Sequence, residues 1–317
     1  MKPFWENPYF IKLTKWRPIE LLLIRLKKIV LPGFDGLPLF DVLVFFLKGL
    51  IKGSIAQRAS SIAYNFFLAL FPTLLFFFTL VPYVPIADFH SKLMDFLQLN
   101  LPDSAFQTIY STVNDILSKP RSGLLSIGIL MALFFSTNGF KSIMAAFNMS
   151  YHHVESRKYI KTQLTALLLV LISSMMMIVS IALITFSNFV LDWLVQNNYL
   201  KQDVNYYLIL IAQYLIQLAM IYFLTSFIYF LAPSKKNRFK FFSAGSTFAT
   251  ILYVLSYFGF NYYIIHFSKY NALYGSIGTI IIFLIWIYFI ATILLIGFEL
   301  NISIKHGKIV QQLKQKI

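Results

Sequence analysis

Six apolar stretches dominate the chain, at about residues 60–83, 123–147, 163–190, 206–231, 241–266 and 275–303. A hydrocarbon core about 30 Å thick needs ~20 largely apolar residues as a helix, and only helices and closed barrels satisfy their backbone inside lipid. The pattern predicts an all-α, polytopic membrane protein with six transmembrane helices. Two further stretches, 19–31 and 39–52, mix aliphatic residues with Arg25, Lys27, Lys28, Asp41, Lys48 and Lys52 and are too short to span. They read either as helices at the membrane interface or as a cytoplasmic pair packed on the membrane domain. Between the first two spans, 84–122 carries apolar residues at helical spacing (Phe89, Leu93, Phe96, Leu97; then Phe106, Ile109, Tyr110, Val113) broken by Pro102 and ended by Pro120. It predicts an outer amphipathic segment. The organisation expected is therefore an N-terminal segment 1–55, a membrane domain 56–303 and a basic tail 304–317.

Composition agrees. Hydrophobic residues make up 58% of the 317 and charged residues 12%, about half the charge of a soluble domain, and mean hydropathy is +0.71. No cysteine occurs, which removes disulfides, thiolate metal sites and Cys nucleophiles. No short apolar core ends in a small-residue cleavage site, so a cleavable signal peptide is not expected.

Charge gives the spans a direction. Of the 27 Lys and Arg, ten lie in 1–58, three in 148–162, four in 232–240 and four from 304 onward. The alternate loops hold five, and Lys141 alone falls within a span. The positive-inside rule then places both termini in the cytoplasm. The net charge of +15 is accounted for by orientation and by contacts with membrane lipids, in particular anionic headgroups on the cytoplasmic side; nucleic acid is not an expected partner.

Ionisable groups inside membrane helices usually face protein or water. Arg58, at the start of span one, reads as a snorkelling interface anchor. Lys141 in span two and Glu299 in span six fall in the same, cytoplasmic half, where they could pair. Asn65, Asn138, Asn148 and Asn301 fall at similar depth. These six (Lys141, Glu299 and the four asparagines) are the candidate substrate-binding polar cluster; the competing interpretation is a structural ion pair with interface anchors. Gln213 and Gln217, one turn apart on span four, suit helix-to-helix hydrogen bonding. Pro72 marks a kink in span one. Gly275 and Gly278, and the small-residue pairs Ala59/Ala63 and Gly245/Ala249, suit close packing.

Enzyme chemistry is not expected. His152, His153 and Glu155 are a lone cluster without hydrolase or zincin spacing, and no phosphate-binding Gly-rich loop or nucleophile elbow occurs. No catalytic, metal or cofactor residue is assigned.

Three stretches resemble a known family. Arg58-Ala59-Ser60-Ser61-Ile62-Ala63-Tyr64 with Leu70-Phe71-Pro72 is similar to its opening motif. Asn138-Gly139-Phe140 through Asn148, Tyr151 and Val154-Glu155-Ser156-Arg157 is similar to the end of its second span. Tyr274-Gly275-Ser276-Ile277-Gly278, with Leu284-Ile285-Trp286-Ile287-Tyr288 and Gly297-Phe298-Glu299-Leu300-Asn301, closely resembles its third motif. The family is YihY/BrkB, of bacterial inner-membrane proteins. Phe66 and Phe298 depart from the residues usual there. The resemblance implies six helices with both termini inside and a transporter-like role linked to lipid transport and envelope integrity; a scaffold for envelope assembly is the alternative. The family's former ribonuclease name implies no nuclease.

Overall fold

A computed structural model describes residues 27–80, 122–150, 157–197, 204–234, 241–266 and 276–314, with the isolated positions 25, 94, 98 and 110. Most of the outer segment 84–122, most of 19–31 and the His152/His153/Glu155 cluster lie outside the described residues. Among those residues every bounded element is a helix: α1 Leu39–Lys52, α2 Ile55–Leu80, α3 Ser122–Ser150, α4 Tyr159–Gln196, α5 Val204–Leu231, α6 Ala244–His266 and α7 Ser276–Lys314.

Five of these, α2, α3, α4, α5 and α7, are long and apolar enough to cross a membrane. At 23 residues, α6 is ~35 Å long and could reach across. Gly245, Ser246, Thr247 and Thr250 fill its first turns and four tyrosines follow. Those small polar residues serve contact with a neighbouring helix, as described below. Pro72 does not interrupt α2, which runs unbroken from Ile55 to Leu80. Membrane helices accommodate an internal proline when neighbours and local adjustment absorb the lost bond.

Each of the helices α2 to α6 touches its successor, and α7 returns to α2, so the six close into a ring. α7 also contacts α1 and α3, which makes the last helix the hub. Most buried residues gather at one end of the ring, here termed basal, where α2, α4 and α6 begin and α3 and α5 end. At its centre Phe147 stacks on Phe298 with ring centroids 3.8 Å apart, and Tyr229 meets both at 5.7 and 5.6 Å. Tyr229 Oη donates to the Leu294 carbonyl at 2.7 Å, which leaves its hydroxyl satisfied in the core. Phe298, the departure from the family pattern, thus fills the basal centre.

Small residues set the helix spacing. Gly245 and Ala249 of α6 face Gly297 of α7; a Cβ on Gly297 would meet Tyr229 Oη, the Gly245 carbonyl and Ala249 Cβ. Gly128 lies against the Phe76 backbone and Gly139 beneath the Phe66 ring. The expected Gly245/Ala249 contact is therefore present, and Ala59 and Ala63 are buried in α2.

α1 packs on α7. Val42 and Phe46, with Phe34 and Leu37 ahead of them, bury against Leu300 and Ile304. Gly33, Asp35 and Gly36 at positive φ turn the chain into α1, and Ser54 at φ 47° turns it into α2. Leu47 and Ile51, one turn apart, remain exposed on another face of α1. α7 continues as a helix through the basic segment to Lys314.

Candidate functional site

The basal end gathers the polar side chains of the spans. Arg58, one turn into α2, shares a face with Ala59, Ile62 and Ala63, so it enters the protein rather than the membrane surface. It is 4% exposed, and Glu299 of α7 is also 4% exposed. Arg58 Nη2 donates to Glu299 Oε1 at 2.8 Å. Nη1 donates to the Ala146 carbonyl at 2.8 Å and to Ser150 Oγ. Ser150 Oγ donates in turn to Glu299 Oε1 at 2.6 Å. One carboxylate oxygen thus receives a guanidinium and a hydroxyl from two other helices. Such charge-assisted bonds are about twice as strong as neutral ones.

The second carboxylate oxygen faces α1. A Cβ on Gly49 would stand 3.0 Å from Glu299 Oε2, and one on Gly53 would stand 2.7 Å from Arg58 Nη2 and 3.4 Å from Glu299 Oε1. The i, i+4 glycine pair lets the end of α1 close over the ion pair. Four helices therefore converge on one charge pair, and side chains at positions 49 and 53 would displace it.

Three of the four asparagines bind across helix or loop boundaries. Asn148 Oδ1 accepts from Ser234 N and Ser234 Oγ at 3.0 and 2.9 Å. Asn301 Oδ1 accepts from the Gly245 amide at 2.8 Å, and its Nδ2 donates to Ser243 Oγ at 2.9 Å, which ties α7 to the start of α6. Asn65 Nδ2 donates to Ser142 Oγ at 2.9 Å, joining α2 to α3. Arg157 caps the C-terminus of α5, donating to the Ala232 carbonyl at 2.9 Å and also to that of Pro233. A cation at carbonyls that end a helix is favourable.

The six expected residues do not form one cluster. Lys141 does not pair with Glu299; the partner is Arg58, which is an internal ion-pair member and not a snorkelling anchor. Lys141 lies nine residues before Ser150, ~14 Å along α3. The core face of α3 is Phe140, Ile143, Met144 and Phe147, and residue 141 falls outside that stripe. Lys141 is half-buried and makes no hydrogen bond or ion pair with the described residues. Asn138 is likewise half-buried, and only its backbone carbonyl is engaged, by Ser142 Oγ at 3.2 Å.

The sequence did not reveal that Arg58 turns inward to Glu299, nor the parts played by Ser150 and the α1 glycines. The available signal was the small-residue face of α2: a cation flanked by Ala59 and Ala63 sits where a helix approaches closely. The bond from Asn65 gives a measurable expectation. Asn65→Leu should lower stability by about 0.6 kcal/mol, the average for such contacts in membranes, read by thermal unfolding of the purified protein. A loss above about 2 kcal/mol would show that Asn65 does more than join two helices.

The fold and this site define a polytopic α-helical membrane protein whose helices are pinned at one end by buried polar contacts. The family model described as virulence factor BrkB matches residues 46–316, and the chain belongs to that family. It is 30% identical over 245 residues to a putative ribonuclease-like protein, YfkH, of Bacillus subtilis, covering 77% of this chain and 88% of that one. It is similar to UPF0761 membrane proteins as well: 21% identical to one of Haemophilus influenzae (81% of this chain, 92% of the relative) and 26% to one of Coxiella burnetii (76% and 85%). No solved structure matches.

Proposed function

We propose that this chain is a six-span, transporter-like protein of the bacterial inner membrane, with α6 as the sixth span and both termini cytoplasmic. The basic loops and tail then border anionic headgroups on the basal side, and the protein acts on a lipid or another amphipathic envelope molecule rather than as an enzyme. The single observation that carries this reading is the asymmetry of the ring. Its basal end is locked by Arg58–Glu299 and the Phe147/Phe298/Tyr229 stack. Toward the other end α4 and α5 leave a cleft between them, and Phe283, Leu284 and Ile285, three consecutive residues of α7, stay exposed. Among the described residues, a bundle closed at one end and looser at the other fits one state in alternating access, with Arg58–Glu299 as the inner closure and Lys141, unpaired among those residues, above it.

Translocation of a fluorescent phospholipid in proteoliposomes tests this. Lys141→Ala and Glu299→Ala should each lower the rate tenfold or more, while Asn65→Leu keeps it near the parent level. Full rates in both of the first two variants would overturn the role given to these residues. Because the chain has no cysteine, a single cysteine at Lys308 reports orientation alone; labelling only from the cytoplasmic side is expected. A second reading, a non-transporting scaffold for envelope assembly, is favoured by the filled basal centre, and absence of any lipid movement by the parent protein would select it.

A further inference from the structure

The cleft between α4 and α5, about 260 Å³, stands apart from the basal cluster. Its volume is roughly nine times the ~30 Å³ share of one liquid water, enough for a stretch of hydrocarbon chain. Leu183, Ile184 and Val190 of α4 and Ile209 and Ile216 of α5 give it apolar walls. From Val190 to Ser180 is ten residues, ~15 Å along the helix, which is half of a ~30 Å hydrocarbon core. Trp193 and Tyr207, both exposed, stand just beyond its upper end, where amphipathic rings mark a membrane interface. The cleft is therefore one leaflet deep and begins at the headgroup boundary.

A polar seam runs down it. Ser180 and Ser187, seven residues apart on α4, face Gln213 and Gln217, four apart on α5. Ser187 Oγ donates to Gln213 Oε1 across the gap at a long 3.4 Å. Gln217, half-buried, makes no hydrogen bond with the described residues. A carboxamide without a partner in hydrocarbon is costly, because nothing there replaces its lost water. The occupant must therefore offer hydrogen-bonding oxygens to Gln217 while resting on apolar walls. Among the described residues, none that lines the cleft is charged.

We propose that the α4–α5 groove is a binding site for an uncharged glycerolipid. Its chains lie along the aliphatic walls, and its ester or hydroxyl oxygens accept from the carboxamide N–H groups of Gln217. The uncharged lining of the described residues selects against a charged headgroup entering the seam. Ser187 loosens its long bond to Gln213 and turns its hydroxyl to the ligand. The proposal is independent of the basal closure, and either can fail alone.

Photolabelling of the full-length protein in vesicles tests it, with diacylglycerol and phosphatidylglycerol bearing the same diazirine-tagged chain. Labelled peptides spanning 180–217 are quantified by mass spectrometry. Diacylglycerol should label this segment at least fivefold more per mole than phosphatidylglycerol, and unlabelled diacylglycerol should compete. Gln217→Leu should reduce the labelling at least fivefold, and Ala212→Phe, which fills the groove, should do the same. Equal labelling by both lipids, unchanged in Gln217→Leu, would mean ordinary contact with surrounding lipid and overturn the proposal. No labelling of the segment would also overturn it, as would disulfide formation between two copies of Gln217→Cys with loss of diacylglycerol labelling, which would make the groove a contact between chains. If Ala212→Phe fails to fold, Ser187→Ala replaces it: a twofold or greater drop in labelling is expected, and no change overturns the hydrogen-bonding role.

Discussion

Glu299→Ala is expected to lower the free energy of unfolding by about 3–5 kcal/mol, the usual cost of removing one partner of a buried ion pair. Most of that loss comes from Arg58, which would keep its charge in a pocket where only the Ala146 carbonyl and Ser150 Oγ still accept from it. Replacing both partners with apolar residues, Arg58→Met with Glu299→Leu, should recover most of the loss, because no isolated charge remains. The measurement is thermal or denaturant unfolding of purified protein in detergent or bilayers, with the double variant compared with each single. A loss under about 1 kcal/mol in Glu299→Ala would mean that the carboxylate is hydrated in the folded protein. The double variant also separates stability from activity. If it folds well but moves no lipid, the charge pair serves the working cycle; if it moves lipid normally, the pair serves assembly alone.

Gly297→Val should have the second large effect. The added atoms would enter space held by Tyr229 Oη, the Gly245 carbonyl and Ala249 Cβ. Two of those three belong to α6, so the α6–α7 seam must open and the Asn301 bonds to Gly245 and Ser243 must stretch. Overpacking costs about 1–3 kcal/mol and occasionally more; the upper end is expected, because two of the opposing atoms are backbone or Cβ and cannot swing aside. The control lies on the facing helix: Gly259 of α6 has open space around the position of a Cβ, so Gly259→Ala should be neutral or stabilising by about 0.5–1 kcal/mol. Folded yield and melting temperature of the two variants should move in opposite directions. Similar melting temperatures for both would refute the close α6–α7 approach.

The helices were legible because the bilayer demands a long apolar run and leaves few alternatives. The predicted 206–231 and 241–266 lie within three residues of α5 and α6. α7 overran its predicted end by eleven residues, since its basic last turns keep helical geometry beyond the apolar stretch. α6 shows how small residues serve packing: its first turns carry glycine, serine and threonine, and Gly245 and Ala249 let it approach α7 closely. The site was legible in depth but not in direction. Glu299, Asn65, Asn148 and Asn301 all lie toward the basal half and all make long-range bonds. Depth alone, however, cannot tell which side of α3 a residue occupies. Lys141 and Ser150 share a helix, but only Ser150 turns toward Glu299. The glycines of α1 were invisible for a related reason: a residue without a side chain signals contact only when its neighbour is known.

The Arg58–Glu299 bond joins residues 241 positions apart in sequence. At about 5–20 residues per second during synthesis, Arg58 emerges roughly 12–48 s before its carboxylate exists. For that interval the guanidinium needs another host. Its two remaining acceptors among the described residues, the Ala146 carbonyl and Ser150 Oγ, both belong to α3. The α2–α3 hairpin is thus able to shelter an orphan cation through biogenesis, and the last helix completes the contact when it arrives. A ribosome stalled after α3 would carry a hairpin already able to hold its charge.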